Sequence, residues 1–270
     1  MTNLSDLTRV AAKSIFALGD VFSAPMTGPK ILIYHQVYPA LDRQMTVAPE
    51  LFERQLDWIA ARGEIVRLEV AVPPGSLQGA EQYVLTFDDG YDGVYRYVFP
   101  LLVDRGIPFT LYLTSGLVDG EGAGAGLDTL TWAQVREMVA SGLVTVGAHT
   151  HTHPDLRTIG SSQIADELDR SNEIITEQTG VVPRHFAYPK GYWAEAAEPL
   201  IRERYDTATL GAGSPIGPDS DLHRLSRVPV QRSDGMFFFK WKIERGLRLE
   251  ETARRRLKGY RNPSATGVAR

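Results

Sequence analysis

Two clusters of side chains carry most of the chemical potential of this 270-residue chain. The first is Thr86-Phe87-Asp88-Asp89-Gly90, directly after an apolar run. Adjacent carboxylates repel unless something positive lies between or beside them. A turn closed by an Asp side chain, with Gly90 supplying positive φ, is the plain structural alternative. The second is His149-Thr150-His151-Thr152-His153-Pro154, which gathers three of the six histidines within five residues. If the segment is helical, His149 and His153 project from one face at i, i+4 and His151 points away. Two imidazoles and one carboxylate suit a catalytic divalent cation with positions open for water. The other carboxylate of the Asp pair is then free to act as a base.

Three further segments supply candidates. In Arg184-His185-Phe186-Ala187-Tyr188-Pro189-Lys190-Gly191, an aromatic ring at a strand end can stack on a sugar, and Gly191 lets backbone approach a ligand. His35 follows the apolar run Lys30–Tyr34, and His223 precedes Arg224-Leu225-Ser226-Arg227. Each of these two histidines is a candidate acid or charge partner.

These residues need a scaffold that brings strand ends together. Short β-like runs at Lys30–Tyr34, Tyr83–Phe87, Phe109–Leu113, Leu143–Val146, His185–Tyr188, Thr207–Leu210 and Arg227–Val230 alternate with helical patterns. Helices are expected at Pro49–Ala61, at Val94–Leu102 with a kink at Pro100, after a Thr131/Gln134 capping box, at Ser161–Thr179 and around Ala194–Arg204. Gly116–Gly126 reads as a glycine-rich loop. About seven βα units imply a parallel α/β sheet, most economically closed as a barrel, with active residues at the C-terminal strand ends.

The domain is expected over 30–245, behind an N-terminal helical segment (1–29) and ahead of a basic tail (246–270). The N-terminal segment reads neither as a signal peptide nor as a membrane span, so its apolar face is expected to pack on the domain. The tail reads as a solvated basic helix or as a contact for an anionic membrane surface or glycan carrier. A net charge of −4 argues against nucleic acid as the main partner, and the absence of cysteine excludes disulfides and thiolate metal sites.

Taken together, these motifs resemble the polysaccharide deacetylase family, the NodB-homology or carbohydrate esterase family 4 domain, over about Lys30–Val230. The resemblance implies a distorted (β/α)7-type barrel. It casts Asp88 as the general base and Asp89, His149 and His153 as the ligands of one divalent metal. Zinc is the default, with cobalt, nickel and iron fitting similar geometry. It places Tyr188, with Pro189, Gly191 and Trp193, along the substrate groove. Two departures stand out. The family's third-motif arginine, which pairs with the base, is replaced by Ala187; Arg227 is expected to substitute, with Arg184 as the alternative. The family's late Leu-x-His segment is matched only loosely at Leu222-His223. Ile33-Tyr34-His35 is similar to an N-terminal motif of the exopolysaccharide-modifying branch, so His35 is the expected acid ahead of His223.

The implied activity is metal-dependent removal of N-acetyl groups from an N-acetylhexosamine polysaccharide or its precursor. The expected partners are an amino-sugar polymer or lipid-linked oligosaccharide, met in the cytoplasm with peripheral contact at the inner membrane. The rival readings are an amide or imide hydrolase of small substrates on the same barrel and a non-catalytic glycan-binding protein.

Overall fold

The computed structural model describes residues 13–14, 25–39, 43–72, 81–120, 128–211, 216–217 and 219–246. Most of the expected N-terminal segment, the basic tail beyond residue 246 and the 121–126 part of the glycine-rich loop lie outside them.

Seven parallel strands close into a ring: β1 (Lys30–Tyr34), β5 (Glu81–Asp89), β6 (Phe109–Leu113), β7 (Val144–Ala148), β8 (His185–Ala187), β9 (Thr207–Leu210) and β10 (Leu225–Pro229). Closure comes from β1, which pairs with β10 on one side and with Tyr83–Phe87 of β5 on the other. Three strands escape the sequence pattern because they are too short to show it. β2 (Gln36–Val37) and β3 (Thr46–Val47) form a two-stranded sheet. β4 (Gly63–Ile65) pairs with Glu81–Tyr83 at the start of β5, overlapping the reach of β1 only at Tyr83.

Alternation along each ring strand sorts side chains by size. Leu32 and Tyr34, Leu85 and Phe87, Phe109, Leu111 and Leu113, Val144 and Val146, Phe186 and Tyr188, Ala208 and Leu210, and Val228 join one large apolar cluster together with the helices. The opposite face carries Thr86, Asp88, Thr110, Tyr112, Gly147, His185, Thr207, Thr209 and Arg227, nearly all buried. The barrel interior is thus narrow and polar. Gly147 leaves room there for the Tyr112 ring, since a Cβ on it would lie 2.5 Å from Tyr112 Cδ1.

The two ends differ. A second apolar cluster joins the early strand residues Ile31, Val84 and Leu225 to Leu68 and Ala71 of the short helix α2 (Leu68–Ala71) and to Ile216, closing the N-terminal mouth. The other mouth, where the strands finish, is left for chemistry.

The helices follow their local signals. α1 (Pro49–Ala60) starts on Pro49, whose missing N–H costs nothing in a first turn. α4 (Trp132–Ala140) opens on the complete Thr131/Gln134 capping box. α5 (Ser161–Thr179) stops at Gly180, which takes φ 73°. The kink expected at Pro100 is a π-turn over Val94–Val98 that runs into α3 (Phe99–Asp104), because proline cannot donate the bond a regular turn needs. α6 (Glu198–Arg204) begins four residues later than its pattern, and α7 (Gly235–Arg245) is a helix the sequence reading did not contain.

Candidate active site

Asp88 and Asp89 end β5, yet they face different partners. Asp88 continues the inward alternation of Val84 and Thr86, so its carboxylate lies inside the barrel. Asp89 would point outward by the same rule, but its φ of 72° breaks the strand and Gly90 follows at φ 90°. A non-glycine residue held in that region is strained, and the cost is borne where it aims a functional side chain.

Inside the barrel Arg227 is fully buried and grips Asp88 with two parallel bonds, Nη1 to Oδ1 and Nη2 to Oδ2, both 2.7 Å. Nη1 also donates to Thr86 Oγ1 at 3.0 Å, and the guanidinium lies 5.2 Å from the centre of the Tyr112 ring. Burial alone would raise the Asp88 carboxyl; the charge of Arg227, then of His149, outweighs it and holds the group below its ordinary value. Arg227, from β10, is therefore the arginine that pairs with Asp88. Arg184 does not reach the site: it is exposed and paired with Asp206.

His149 and His153 converge on Asp89 without a helix. The expected i, i+4 geometry is absent; the segment is a loop in which Thr150 and His153 take φ 65° and 60°. The His149 ring is set by its Nδ1, which donates to the Ala187 carbonyl at 2.6 Å, leaving Nε2 turned to the site. His149 Nε2 and His153 Nε2 stand 3.5 and 3.6 Å from Asp89 Oδ1. These separations are too long for good hydrogen bonds. They match the roughly 3.4 Å edges of a tetrahedron whose bonds to a central ion are about 2.1 Å.

Three further features fit a cation. Among the described residues Asp89 Oδ1 is buried without a hydrogen-bond donor. The ligand atoms of Asp89, His149 and His153 all lie within 4.8 Å of one another. Burial, then the neighbouring His149, lowers the His153 pKa to about 4, which keeps that ring neutral as a ligand must be. Asp89, His149 and His153 are therefore placed to hold a metal ion. His151 turns away, its Nδ1 3.0 Å from Ser115 Oγ.

These groups line a cavity of about 590 Å³ together with His35, Gln44, Met45, Lys190, Gly191, Tyr192 and Gln231. His35, just past β1, is half-buried there, and among the described residues its Nδ1 has no hydrogen-bond partner. His223 is elsewhere. It precedes β10, at the plugged end of the barrel, where Nε2 donates to the Tyr205 carbonyl at 2.7 Å and Nδ1 lies 3.2 Å from Arg202.

The expected substrate groove is partly displaced. Gly191 lines the cavity, but Tyr188, Pro189 and Trp193 do not. Tyr188 follows Phe186 by two residues and so shares its outward face, packed edge-on against that ring at 5.4 Å. Trp193 is drawn off by Glu198, to which Nε1 donates at 3.0 Å. Lys190 and Tyr192, passed over in the sequence, face the cavity instead. The alternation around Phe186 is the signal that could have moved the choice off Tyr188.

A polysaccharide deacetylase profile matches residues 78–204, the stretch holding both motifs. The structure of IcaB from Ammonifex degensii superposes with a TM-score of 0.73 at 27% identity, covering 82% of this chain and 99% of that one. Over 78–204 the chain is similar to the polysaccharide deacetylase family. YxkH of Bacillus subtilis is 26% identical over 76% of this chain and 72% of its own length. The poly-β-1,6-N-acetyl-D-glucosamine N-deacetylase of Staphylococcus aureus is 27% identical over 57% of this chain, which spans 55% of that enzyme. The barrel is a distorted (β/α)7 architecture, as the superposition on IcaB shows.

Proposed function

We propose that this protein is a metal-dependent N-deacetylase of an N-acetylhexosamine polymer. The observation that carries the reading is the pairing of a buried, arginine-held carboxylate with a His2Asp set on one cavity wall. Relatives support the substrate class: the staphylococcal one is named for poly-β-1,6-N-acetyl-D-glucosamine. An intact ligand set in an open cavity disfavours a purely glycan-binding role.

Each residue has a distinct task. Asp88 is the general base: Arg227 keeps it ionised where burial would otherwise protonate it, and a carboxylate clamped by two bonds still has lone pairs for a water proton. Asp89, His149 and His153 would hold a divalent cation, which would supply Lewis acidity for the water and the acetyl carbonyl. His35, on the same cavity, gives its proton to the departing amine, without which an amide nitrogen leaves poorly. Gly191 allows backbone to approach the sugar, and Tyr192 offers a ring edge beside it.

We further propose zinc as the ion, because two imidazoles and a carboxylate with open positions suit it; cobalt, nickel and iron are the competitors. Action on the polymer or its lipid-linked precursor at the cytoplasmic membrane face is a proposal carried by the sequence alone. Among the described residues no helix is long and apolar enough to cross a membrane. Fractionation of cells with antibody detection tests it, and recovery outside the membrane and cytoplasm would overturn it.

The deciding experiment is acetate release from N-acetylglucosamine oligomers by metal-stripped protein restored with zinc, beside Asp88→Asn, His35→Ala and His223→Ala. Release that needs metal, disappears with Asp88→Asn, falls by ~10²–10⁴ with His35→Ala and survives His223→Ala is expected. No release from any oligomer, with metal bound stoichiometrically, would move the reading to another acyl or imide substrate.

A further inference from the structure

The rim of the cavity beyond Gly191 is a small charge assembly with a fixed geometry. Arg157 grips Asp155 with two bonds, Nε to Oδ1 at 2.8 Å and Nη2 to Oδ2 at 2.6 Å. The same guanidinium lies over the Tyr192 ring, 4.1 Å from its centre, so loop 155–157 braces loop 190–192. Lys190 Nζ comes within 3.9 Å of the same Asp155 carboxylate. Two cations thus share one carboxylate, and the assembly carries about one unit of positive charge. Lys190 lines the catalytic cavity and its side chain is 46% exposed, so this charge is presented to whatever lies there. The opposing carboxylates do not cancel it: Asp88 is covered by Arg227, and Asp89 is turned to the two histidines.

The proposed reaction changes the charge of its own polymer. Water adds to the acetyl carbon, the C–N bond breaks with its electron pair left on nitrogen, acetate departs, and the amine takes up protons to become an ammonium. A neutral sugar unit becomes a cationic one, and that unit remains linked to the next candidate for reaction.

Resting on the deacetylase reading, we propose that Lys190 is a specificity residue that disfavours an already deacetylated sugar beside the reacting one, spacing free amines along the polymer. Like charges about 7 Å apart near a protein surface discriminate by roughly 3- to 10-fold, and salt erodes the effect.

The test compares kcat/KM for a fully acetylated N-acetylglucosamine pentamer and for the same pentamer carrying one free amine, at low and high salt. The native protein is expected to favour the fully acetylated pentamer by roughly 3- to 10-fold at low salt, with the ratio falling toward one as salt rises. Lys190→Gln is expected to bring the ratio near one, Lys190→Glu to invert it, and Lys190→Arg to retain it. A merely structural role for Lys190 would lower both rates together and leave the ratio and its salt dependence unchanged; that result overturns the proposal. So does a native ratio of one at low salt with good turnover of the acetylated pentamer, which leaves the deacetylase reading standing. No turnover of the acetylated pentamer sinks that reading and this proposal with it.

Discussion

At the scale of residues, Arg227 carries the strongest consequence. It is the buried partner of the buried Asp88 carboxylate, and removing one member of such a pair leaves the other's charge uncompensated. Arg227→Met is expected to lower kcat by ~10²-fold or more and to cost about 3–5 kcal/mol in denaturant unfolding. Metal content by elemental analysis should stay stoichiometric, because Asp89, His149 and His153 are untouched. Arg227→Lys should recover only part of the loss, since an ammonium cannot reproduce the two parallel bonds to Asp88. Loss of metal in Arg227→Met would instead make this arginine a support of the ligand set. That Asp88, Asp89, His149 and His153 belong together was legible, because each pair sits in a short local motif. That Arg227 answers Asp88 was open, with Arg184 as its rival, because the two partners are 139 residues apart and meet only across the barrel.

At the scale of elements, the strands act by alternation and by where they break it. β7 passes the barrel interior at Gly147, where an added Cβ would lie 2.5 Å from Tyr112 Cδ1 and 2.8 Å from the His185 carbonyl oxygen. Gly147→Ala is therefore expected to push the Tyr112 ring toward Arg227. The expected cost is about 1–3 kcal/mol of stability in a denaturant titration, accompanied by a lower kcat. Unchanged turnover with reduced stability would separate packing from catalysis here. The same alternation sets which aromatic lines the cavity: two residues after Phe186, Tyr188 shares its outward face, and Tyr192 takes the cavity wall. The histidine loop is the converse case: its spacing suggested a helix, whereas two residues with positive φ bring the same pair of rings together.

At the scale of the whole molecule, the barrel separates a stabilising end from a reactive one, and each responds to a different reagent. At the plugged end, His185 bonds Thr207 Oγ1 and Glu69 Oε1, both at 2.9 Å. The His185 bond, acting against burial, lowers the Glu69 pKa to about 2. A carboxyl depressed in the folded state stabilises above its unfolded pKa of ~4.3, and that stability is lost as pH falls toward 2. Glu69 is half-exposed, so the contribution is about 1 kcal/mol after solvent screening. Glu69→Gln should accordingly be less stable at pH 7 and show a shallower loss of stability between pH 4.5 and 2. An identical pH profile for the variant would remove Glu69 from the acid response. At the reactive end, a metal ion would tie the end of β5 to the loop after β7. Chelation is expected to lower Tm, and titration with zinc to raise it by an amount that grows with zinc concentration; a Tm indifferent to both would argue against a folded-state metal site.

Local sequence by itself determined a good deal. Apolar runs of strand length, a proline start, a capping box and a closing glycine set most of the regular elements, because those signals act within a few residues. The Asp pair and the clustered histidines announced a cation for the same reason. Only the tertiary structure decided which arginine holds Asp88, that His35 rather than His223 reaches the cavity, and which aromatic lines it. Each of those answers depends on which strands become neighbours when β1 closes against β5 and β10, on which end of a strand a residue occupies, and on which face it presents. Ring closure pairs residues far apart in the chain, and no spacing along one segment encodes the partner it will meet.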